Sequence, residues 1–280
     1  MMTYDELYRE ALSRAGLKRT DPGVFDISCL MEKVLGVSRF QLPIRGNGPV
    51  PAGKEQEFFL LFSRWLAGEP LQYILGVWEF YGLPFLVGPG VLIPRQDTET
   101  LAEEALCYLK GRQAPLAADV CSGSGCLACT IALKCPDASV YAIEFSDQAC
   151  AYLQKNADAL GADITILQED AFFPPELPPL DLVVCNPPYL SDPEMEALDD
   201  LVKWEPAMAL SGGTDGYDFY RGLPSVWGRM LKPGGALMFE TGYRQAQKVK
   251  KMLEENGFIQ TRLVQDAAGI ERVVIGIKNR

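Results

Sequence analysis

Histidine is absent from this chain of 280 residues. Its absence excludes Ser-His-Asp triads, histidine acid–base chemistry and most zinc sites, because all of these depend on an imidazole ring. No apolar run approaches the roughly 20 residues that a membrane span requires. Residues 1–10 are polar and acidic, without the apolar core of a signal peptide. These absences predict a cytoplasmic protein without a membrane partner.

Segments rich in lysine and arginine are also absent. The chain has 37 acidic and 26 basic side chains, which give a formal net charge of −11. Proteins that hold nucleic acid tightly usually present a basic surface to the phosphates. The charge balance therefore disfavours a stable nucleic-acid partner.

Eight cysteines are present, and we expect them to be reduced in the cytosol. Cys121, Cys126 and Cys129 have the C-x4-C-x2-C spacing of plant-type ferredoxins. Cys121, however, falls between a predicted strand and a glycine turn, and Cys129 falls within an apolar helical pattern. We interpret these thiols as small buried side chains and predict no metal site.

Residues 1–75 are predicted to form a small helical-bundle domain, in which Asp26 and Ser38 begin helices. Apolar residues at helical spacing mark residues 4–16, 26–36, 38–41 and 54–68. Aromatic and β-branched residues at 78–81 and 85–87, with Gly82 and Pro84 between them, then predict a β-hairpin within a linker over residues 76–93.

Residues 94–280 are predicted to form an α/β domain. Short apolar runs occur at residues 116–120, 140–143, 164–167, 182–185, 236–239 and 273–277, and helical patterns such as 127–134, 148–160 and 245–256 lie between them. This alternation predicts a Rossmann-like, mostly parallel sheet with helices on both faces. Ligands bind beyond the carboxyl ends of such strands. The chemistry is therefore expected just after Val120, Ile143, Leu167 and Cys185.

The first strand end leads into a glycine turn, which comprises Cys121, Ser122, Gly123, Ser124 and Gly125. The glycines let the backbone pass close to a ligand at the start of a helix. Gly123 to Ala128 also fits the dinucleotide-binding fingerprint. A methyltransferase loop, a dinucleotide loop and a plain tight turn all stay open at this point.

Carboxylates follow the next two strands. Glu144 can accept hydrogen bonds from both hydroxyls of a ribose, which suits NAD or S-adenosylmethionine. Asp170 can accept from an adenine amino group, and Ala171 can line the base. Both carboxylates are also compatible with ordinary solvated loop residues.

The sequence Asn186-Pro187-Pro188-Tyr189 follows the fourth strand. The two prolines lack N–H groups and fix the chain direction, while their carbonyl groups stay free to accept. Asn186 adds a side-chain acceptor, and Tyr189 offers a flat face for stacking. Two rigid acceptors can grip both hydrogens of a planar NH2 group.

An amide or aromatic amine nitrogen is a poor nucleophile, because its lone pair is shared with a π system. Two in-plane acceptors orient this nitrogen and stabilise the positive charge that grows as it attacks a methyl donor. The proton can leave afterwards, so no strong base is needed. The turn therefore predicts methyl transfer from S-adenosylmethionine to a planar nitrogen, with Asn186, Pro187 and Tyr189 as catalytic residues.

The Asn-Pro-Pro-Tyr turn resembles the signature of amino-methyltransferases, and longer motifs narrow the choice. Residues 68–82 and the sequence Pro94-Arg-Gln-Asp-Thr-Glu99 resemble the peptide chain release factor N5-glutamine methyltransferase family. Further matches are Trp204-Glu-Pro206, Asp215-Gly216, Glu240-x-Gly242, Asp266 and Glu271-Arg-Val273. The resemblance extends over about residues 68–277.

Three positions depart from the family pattern. Cys121 stands where the family usually has glycine, Glu144 where it usually has aspartate, and Ala171 where a larger aromatic residue is frequent. All three departures concern the cofactor side of the site.

The resemblance implies a class I methyltransferase fold with a seven-stranded sheet, and methylation of the glutamine in the Gly-Gly-Gln motif of class I release factors. Residues 121–125, Glu144, Asp170, Ala171 and Asn186 would hold S-adenosylmethionine. Asn186, Pro187, Pro188, Tyr189 and Arg95 would bind the glutamine. Asp97 and Thr98 would lie near the site, or begin a helix. Residues 1–75 would recognise the release factor.

Two alternatives come from different classes. A nucleic-acid adenine-N6 methyltransferase shares the Asn-Pro-Pro-Tyr turn but needs a basic recognition surface. A dinucleotide-binding oxidoreductase fits the glycine turn but leaves Asn186 to Tyr189 unexplained.

Overall fold

The computed structural model describes residues 2–18, 20–38 and 40–279. The chain divides into two compact units. The first comprises Met1–Val77 with Asp200–Trp204, and the second comprises Trp78–Asp199 with Glu205–Arg280. Across the described residues, no helix is both long enough and apolar enough to cross a membrane.

The first unit is helical. Its helices are α1 (Tyr4–Ala15), α2 (Val24–Leu35), α3 (Leu42–Arg45), α4 (Lys54–Leu66) and α5 (Leu71–Leu75). Leu7, Ile27 and Phe58 are fully buried and belong to the core of this unit. The rings of Phe58 and Phe62 stack along α4 with their centroids 5.8 Å apart. The first unit is therefore a bundle of amphipathic helices that pack through their apolar side chains.

Two predicted helix starts in this unit are wrong. Asp26 lies inside α2, where its carboxylate accepts a hydrogen bond from Trp65 Nε1 at 2.9 Å. The helix predicted to begin at Ser38 forms later, as α3, because Pro43 suits a first helical turn, where backbone N–H groups lack partners. Residue 39, within the predicted stretch, lies outside the described residues.

The hairpin consists of β1 (Val77–Phe80) and β2 (Leu83–Leu86). Tyr81 and Gly82, which connect the strands, have φ angles of 53° and 73°. Two consecutive positive φ angles characterise the two-residue turn that matches the twist of hairpin strands. The strands consequently begin and end slightly earlier than the predicted residues 78–81 and 85–87.

The second unit is built on a seven-stranded sheet with the order β5-β4-β3-β6-β7-β9-β8. Its strands are β3 (Leu116–Val120), β4 (Ser139–Glu144), β5 (Ile164–Gln168), β6 (Leu180–Cys185), β7 (Leu231–Glu240), β8 (Phe258–Gln265) and β9 (Glu271–Lys278). The first five in this order run parallel, and β9 is antiparallel to β7 and β8. The predicted α/β fold with a mostly parallel seven-stranded sheet is confirmed.

Apolar clusters cover both faces of this sheet. The helices are α6 (Thr98–Leu109), α7 (Cys126–Lys134), α8 (Asp147–Leu160), α9 (Asp192–Glu196), α10 (Asp218–Met230) and α11 (Ala246–Glu255). Leu182 and Val184 of β6 pack with α6, α7 and α8, whereas Val183 and Cys185 pack with α10 and α11. Because successive strand residues point to opposite faces, a continuous apolar strand fits this two-sided burial.

Candidate active site

Four neighbouring strands end at one edge of the sheet. Val120 of β3 pairs with Ile143 of β4 and with Cys185 of β6, while Glu144 pairs with Gln168 of β5. The loops that follow these strands therefore lie side by side. They border a cavity of about 350 Å³, which is within the usual size range of small-molecule sites.

The glycine turn after β3 is held by a buried carboxylate. Asp119 Oδ2 accepts hydrogen bonds from Ser122 Oγ (2.5 Å) and from the N–H of Ala128 (3.0 Å). Burial raises the pKa of Asp119 to about 7. Asp119 thus joins the turn to the first residues of α7.

Members of this turn have different surroundings. Cys121 and Gly123 line the cavity, and both have positive φ angles, of 61° and 57°. Ser122 and Ser124 are buried and do not line it. A Cβ on Gly125 would lie 2.1 Å from Leu153 Cδ1. Gly125 is therefore required by the close approach of α7 to α8, rather than by the cavity.

Glu144 lies at the end of β4 and lines the cavity. Its Oε2 accepts the N–H of Gly123 at 2.8 Å, and its Oε1 accepts the N–H of Ser146 at 2.8 Å. The two bonds hold the carboxylate between the first and second loops. Each carboxylate oxygen can accept more than one hydrogen bond, so acceptor capacity remains for a ligand diol.

Asp170, Ala171 and Phe172 follow β5 and line the cavity beyond Glu144. Asp170 Oδ1 accepts the N–H of Phe172 at 2.9 Å, which closes the turn. The Ala171 carbonyl accepts Trp227 Nε1 at 2.8 Å. Phe172 contacts Phe219 of α10, with ring centroids 5.1 Å apart. Apolar side chains beside the Asp170 carboxylate are suited to a purine.

The Asn186–Tyr189 turn follows β6. Asn186 and Pro188 line the cavity, and Pro187 and Pro188 are buried. Among the described residues, none donates a hydrogen bond to the carbonyl oxygens of these prolines. The N–H of Tyr189 donates to Leu210 O (3.1 Å) and its carbonyl accepts Gln245 Nε2 (2.9 Å), so the turn is fixed from two sides. Burial raises the pKa of the Tyr189 hydroxyl to about 12.

The Pro94–Glu99 motif is fixed by two ion pairs. Glu205, which is buried, pairs with Arg95 and accepts the N–H of Ile93 at 2.9 Å. Asp97 occupies the N-cap position of α6 but makes no side-chain cap. Its carboxylate instead pairs with Arg272 Nη2 at 2.9 Å.

Thr98 connects this motif to the Asn186–Tyr189 turn. Asn186 Nδ2 donates to Thr98 Oγ1 at 3.2 Å, and Thr98 is buried. With its nitrogen engaged, the Asn186 side chain keeps its oxygen for another donor.

Several residues of the site were not assigned from the sequence. Val91 and Leu92, in the loop after the hairpin, line the cavity, as does Phe219 of the unpredicted α10. Glu240, at the end of β7, is buried beside Thr98 and Asn186. Its place directly after an apolar strand was an available signal, because it matches the strand-end rule applied to Glu144.

The ferredoxin-like cysteines do not form a metal site. Cys126 and Cys129 lie in α7 as free thiols, and burial raises the pKa of Cys129 to about 12. Within residues 2–18, 20–38 and 40–279, no group of three or more His, Cys, Asp or Glu side chains is arranged to hold a metal ion.

Comparisons with known proteins agree with this geometry. A family model described as the PrmC N-terminal domain matches residues 6–76, and one described as Methyltransferase small domain matches residues 100–214. The release factor glutamine methyltransferase of Geobacter sulfurreducens is 43% identical over 251 residues, which cover 88% of this chain and 87% of that protein. The protein of the same name from Bordetella pertussis is 38% identical over 256 residues, covering 90% and 95%.

A solved structure shows the shared fold. The 16S rRNA N2 G1207 methyltransferase of T. thermophilus, in complex with AdoMet and guanosine, has a TM-score of 0.51 and 21% identity, covering 73% of this chain and 50% of that chain.

Proposed function

The chain belongs to the release factor glutamine methyltransferase family, and on this basis we propose its reaction. It transfers a methyl group from S-adenosylmethionine to the side-chain nitrogen N5 of the glutamine in the Gly-Gly-Gln motif of class I peptide chain release factors. The observation that carries this proposal is the Asn186–Tyr189 turn, whose free acceptors lie beside the cavity.

The cofactor half of the cavity suits S-adenosylmethionine, which supplies an electrophilic methyl group when bound. Glu144 would accept the ribose hydroxyls, because backbone N–H groups already fix its carboxylate at the cavity wall. Asp170 would accept from the adenine amino group, with Ala171 beside the base. Within the predicted residues 121–125, Cys121 and Gly123 line the cavity and would approach the amino acid part of the cofactor through their backbone.

The acceptor half holds a planar amide. Asn186 Oδ1 and the Pro187 carbonyl would accept the two N–H bonds of the glutamine, while the Tyr189 ring and Pro188 limit its movement. These acceptors bear partial negative charge, so they would stabilise the positive charge on nitrogen as its lone pair attacks the methyl carbon and the electrons of the broken C–S bond pass to the sulfonium sulfur. The nitrogen then loses a proton to solvent, which restores the neutral amide. Arg95 would lie at the edge of the bound segment.

We propose separate roles for the parts of the chain. Residues 1–75 recognise the body of the release factor, and residues 94–280 carry out methyl transfer. Residues 76–93 link these two parts. None of the described residues of the first unit lines the cavity, yet this unit exposes large apolar side chains such as Ile44 and Leu60. Exposed apolar residues on a helical surface are suited to a protein partner. We place the reaction in the cytoplasm, where translation factors act.

Labelled S-adenosylmethionine, incubated with the purified enzyme and a class I release factor, tests the assignment. Peptide mapping is expected to find the label on the Gly-Gly-Gln glutamine alone, and a factor with that glutamine changed to Glu should take none. DNA and ribosomal RNA serve as competing acceptors in parallel reactions. Label in nucleic-acid adenine with an unmodified release factor would contradict the substrate assignment, though not the transfer to a planar nitrogen.

A further inference from the structure

Glu240 ends β7 directly beside the Asn186–Tyr189 turn. Cys185 of β6 pairs with Phe239 of β7, so Asn186 and Glu240 are each the next residue beyond a paired position of parallel strands. Glu240 is only 2% exposed. Its carbonyl accepts the Tyr220 hydroxyl at 2.8 Å, which fixes the backbone. Glu240 therefore lies at the same edge of the sheet as the Asn186–Tyr189 turn.

Three side chains, those of Asn186, Thr98 and Glu240, lie together at this position. Asn186 Nδ2 donates to the Thr98 hydroxyl at 3.2 Å. The Glu240 carboxylate is buried beside both side chains, which lower its pKa as potential hydrogen-bond donors. Its second oxygen, Oε2, is buried and has no hydrogen-bond partner among the described residues. A buried carboxylate without full pairing destabilises a fold, which suggests that it serves another purpose.

The direction of the hydrogen-bonded chain that they can form depends on Glu240. An ionised carboxylate can only accept hydrogen bonds, so in any hydrogen bond between Glu240 and Thr98 the hydroxyl of Thr98 is the donor. The Thr98 oxygen is then left to accept from Asn186 Nδ2, and Asn186 Oδ1 stays available on the cavity side. If Glu240 could donate, the chain could reverse and turn the Asn186 nitrogen towards the substrate. Two NH2 groups would then face each other without an acceptor.

We propose that Glu240 is a positioning residue, which acts through Thr98 to keep the oxygen of the Asn186 amide facing the nitrogen that is methylated. This inference rests on the proposed function, because it assumes an NH2 acceptor.

Burial and the surrounding charges together set the pH above which the Glu240 carboxyl group can only accept hydrogen bonds. Burial raises the pKa of Glu240 to about 7. Asp97 raises this pKa further, whereas Arg272 and the hydrogen bonds from Thr98 and Asn186 lower it. The active arrangement should therefore form as pH rises through about 7, when the carboxyl group loses its proton.

Glu240→Gln tests the proposal, because it retains the shape and adds a donor. We expect kcat on intact release factor to fall about tenfold or more, while the Kd for S-adenosylmethionine changes less than about twofold. The rise of wild-type kcat/KM with a midpoint near pH 7 should disappear in the variant. Thr98→Val should lower kcat similarly, and Thr98→Ser, which keeps the hydroxyl, should retain most of it. The double variant Glu240→Gln/Thr98→Val should lose little more than either single variant, because both break one chain.

Wild-type kcat and pH profile in Glu240→Gln would overturn the proposal, as would a loss confined to cofactor affinity. Multiplicative losses in the double variant would also overturn it. If Glu240→Gln does not fold, the comparison of Thr98→Val with Thr98→Ser decides, and equal rates for these two contradict the proposal. Failure of the proposed function would appear separately, as wild-type enzyme that leaves the release-factor glutamine unlabelled. The ratio of variant to wild-type rate is then taken on the acceptor that receives the label.

Discussion

At residue 144 each carboxylate oxygen accepts one backbone N–H, from Gly123 and from Ser146. We predict that Glu144→Ala weakens the binding of S-adenosylmethionine by about 2 kcal/mol, the range of hydrogen bonds to charged groups. Calorimetry of the two proteins measures this difference. Glu176→Ala removes an exposed carboxylate from the same unit and should bind the cofactor as wild type does. Unchanged affinity in Glu144→Ala would remove this residue from the site.

Asn186 has the most direct role in the proposed chemistry. We predict that Asn186→Ala lowers kcat about 100-fold or more, because one preorganised polar group commonly contributes this much to a transition state. The rate is measured at saturating release factor and cofactor, and circular dichroism checks that the fold is retained. A folded variant with nearly wild-type kcat would contradict the role of its side-chain oxygen.

The sequence could predict which single residues line the cavity when they lie at the end of an apolar strand or shortly after it. Glu144, Asp170 and Asn186 come together at the cavity because parallel strands end at the same edge. The distinction between Gly123 and Gly125 could not be made, since it depends on where Leu153 of the next helix packs. Tertiary packing, rather than local pattern, decides which loop residue meets a ligand.

At the scale of elements, six of the seven strands of the large sheet were located to within a few residues, apart from the early start of β7. β8 was missed because its alternation is interrupted at Gln260, which has a φ of 50° near a change of register. Helix α10 was missed because it contains Pro224 and two glycines. A Cβ on Gly222 would lie 2.5 Å from the Phe172 ring, so this glycine reflects close packing, not a turn.

Helices α3 and α4 carry the exposed apolar residues Ile44 and Leu60, which are 88% and 65% exposed. We predict that the double variant Ile44→Ala/Leu60→Ala raises KM for intact release factor about tenfold, because apolar area that would be buried on binding is lost. Both residues are exposed, so the stability of the fold should change little. KM for a short Gly-Gly-Gln peptide and the Kd for cofactor should stay the same.

Gln56→Ala provides the control, since it shortens an exposed polar side chain in α4, the helix that also carries Leu60. It should leave KM for the intact factor unchanged. Equal KM values for the double variant and wild type would argue against recognition through these two residues.

At the scale of the whole molecule, charge is divided unevenly along the chain. Residues 1–77 contain nine acidic and nine basic side chains, so residues 78–280 carry the entire net charge of −11. Phosphate contacts need nearby lysine or arginine. The acidic excess of residues 78–280 therefore supports the proposed protein substrate.

The stability of the molecule should fall as pH rises through neutrality because of two buried carboxyl groups. Burial raises the pKa values of Asp119 and Glu240 to about 7, from ordinary values of 3.8 and 4.5. A raised carboxyl pKa means that the folded state holds the proton more tightly than the unfolded state does. The stabilisation is complete below about pH 4 and is lost as pH rises through about 7.

We predict from this that Glu240→Gln becomes more stable than wild type at high pH. Relative to its difference at pH 5, the free energy of unfolding of the variant should gain up to about 2–3 kcal/mol at pH 8.5, because only wild type must ionise a buried group. Urea denaturation at both pH values measures the change. Glu176→Gln, at an exposed position, should show no such pH dependence, and the same result for Glu240→Gln would contradict its raised pKa.

The φ angle of 61° at Cys121 has a consequence for how this position evolves. Glycine adopts that left-handed conformation freely, whereas other residues do so at a cost of ~1 kcal/mol. Cysteine and glycine codons differ by a single base, so one point mutation would relieve the cost in any generation. Mutation and selection for stability alone would return this position to glycine. A cysteine retained here across descendants of this lineage would therefore mark the thiol itself as the object of selection.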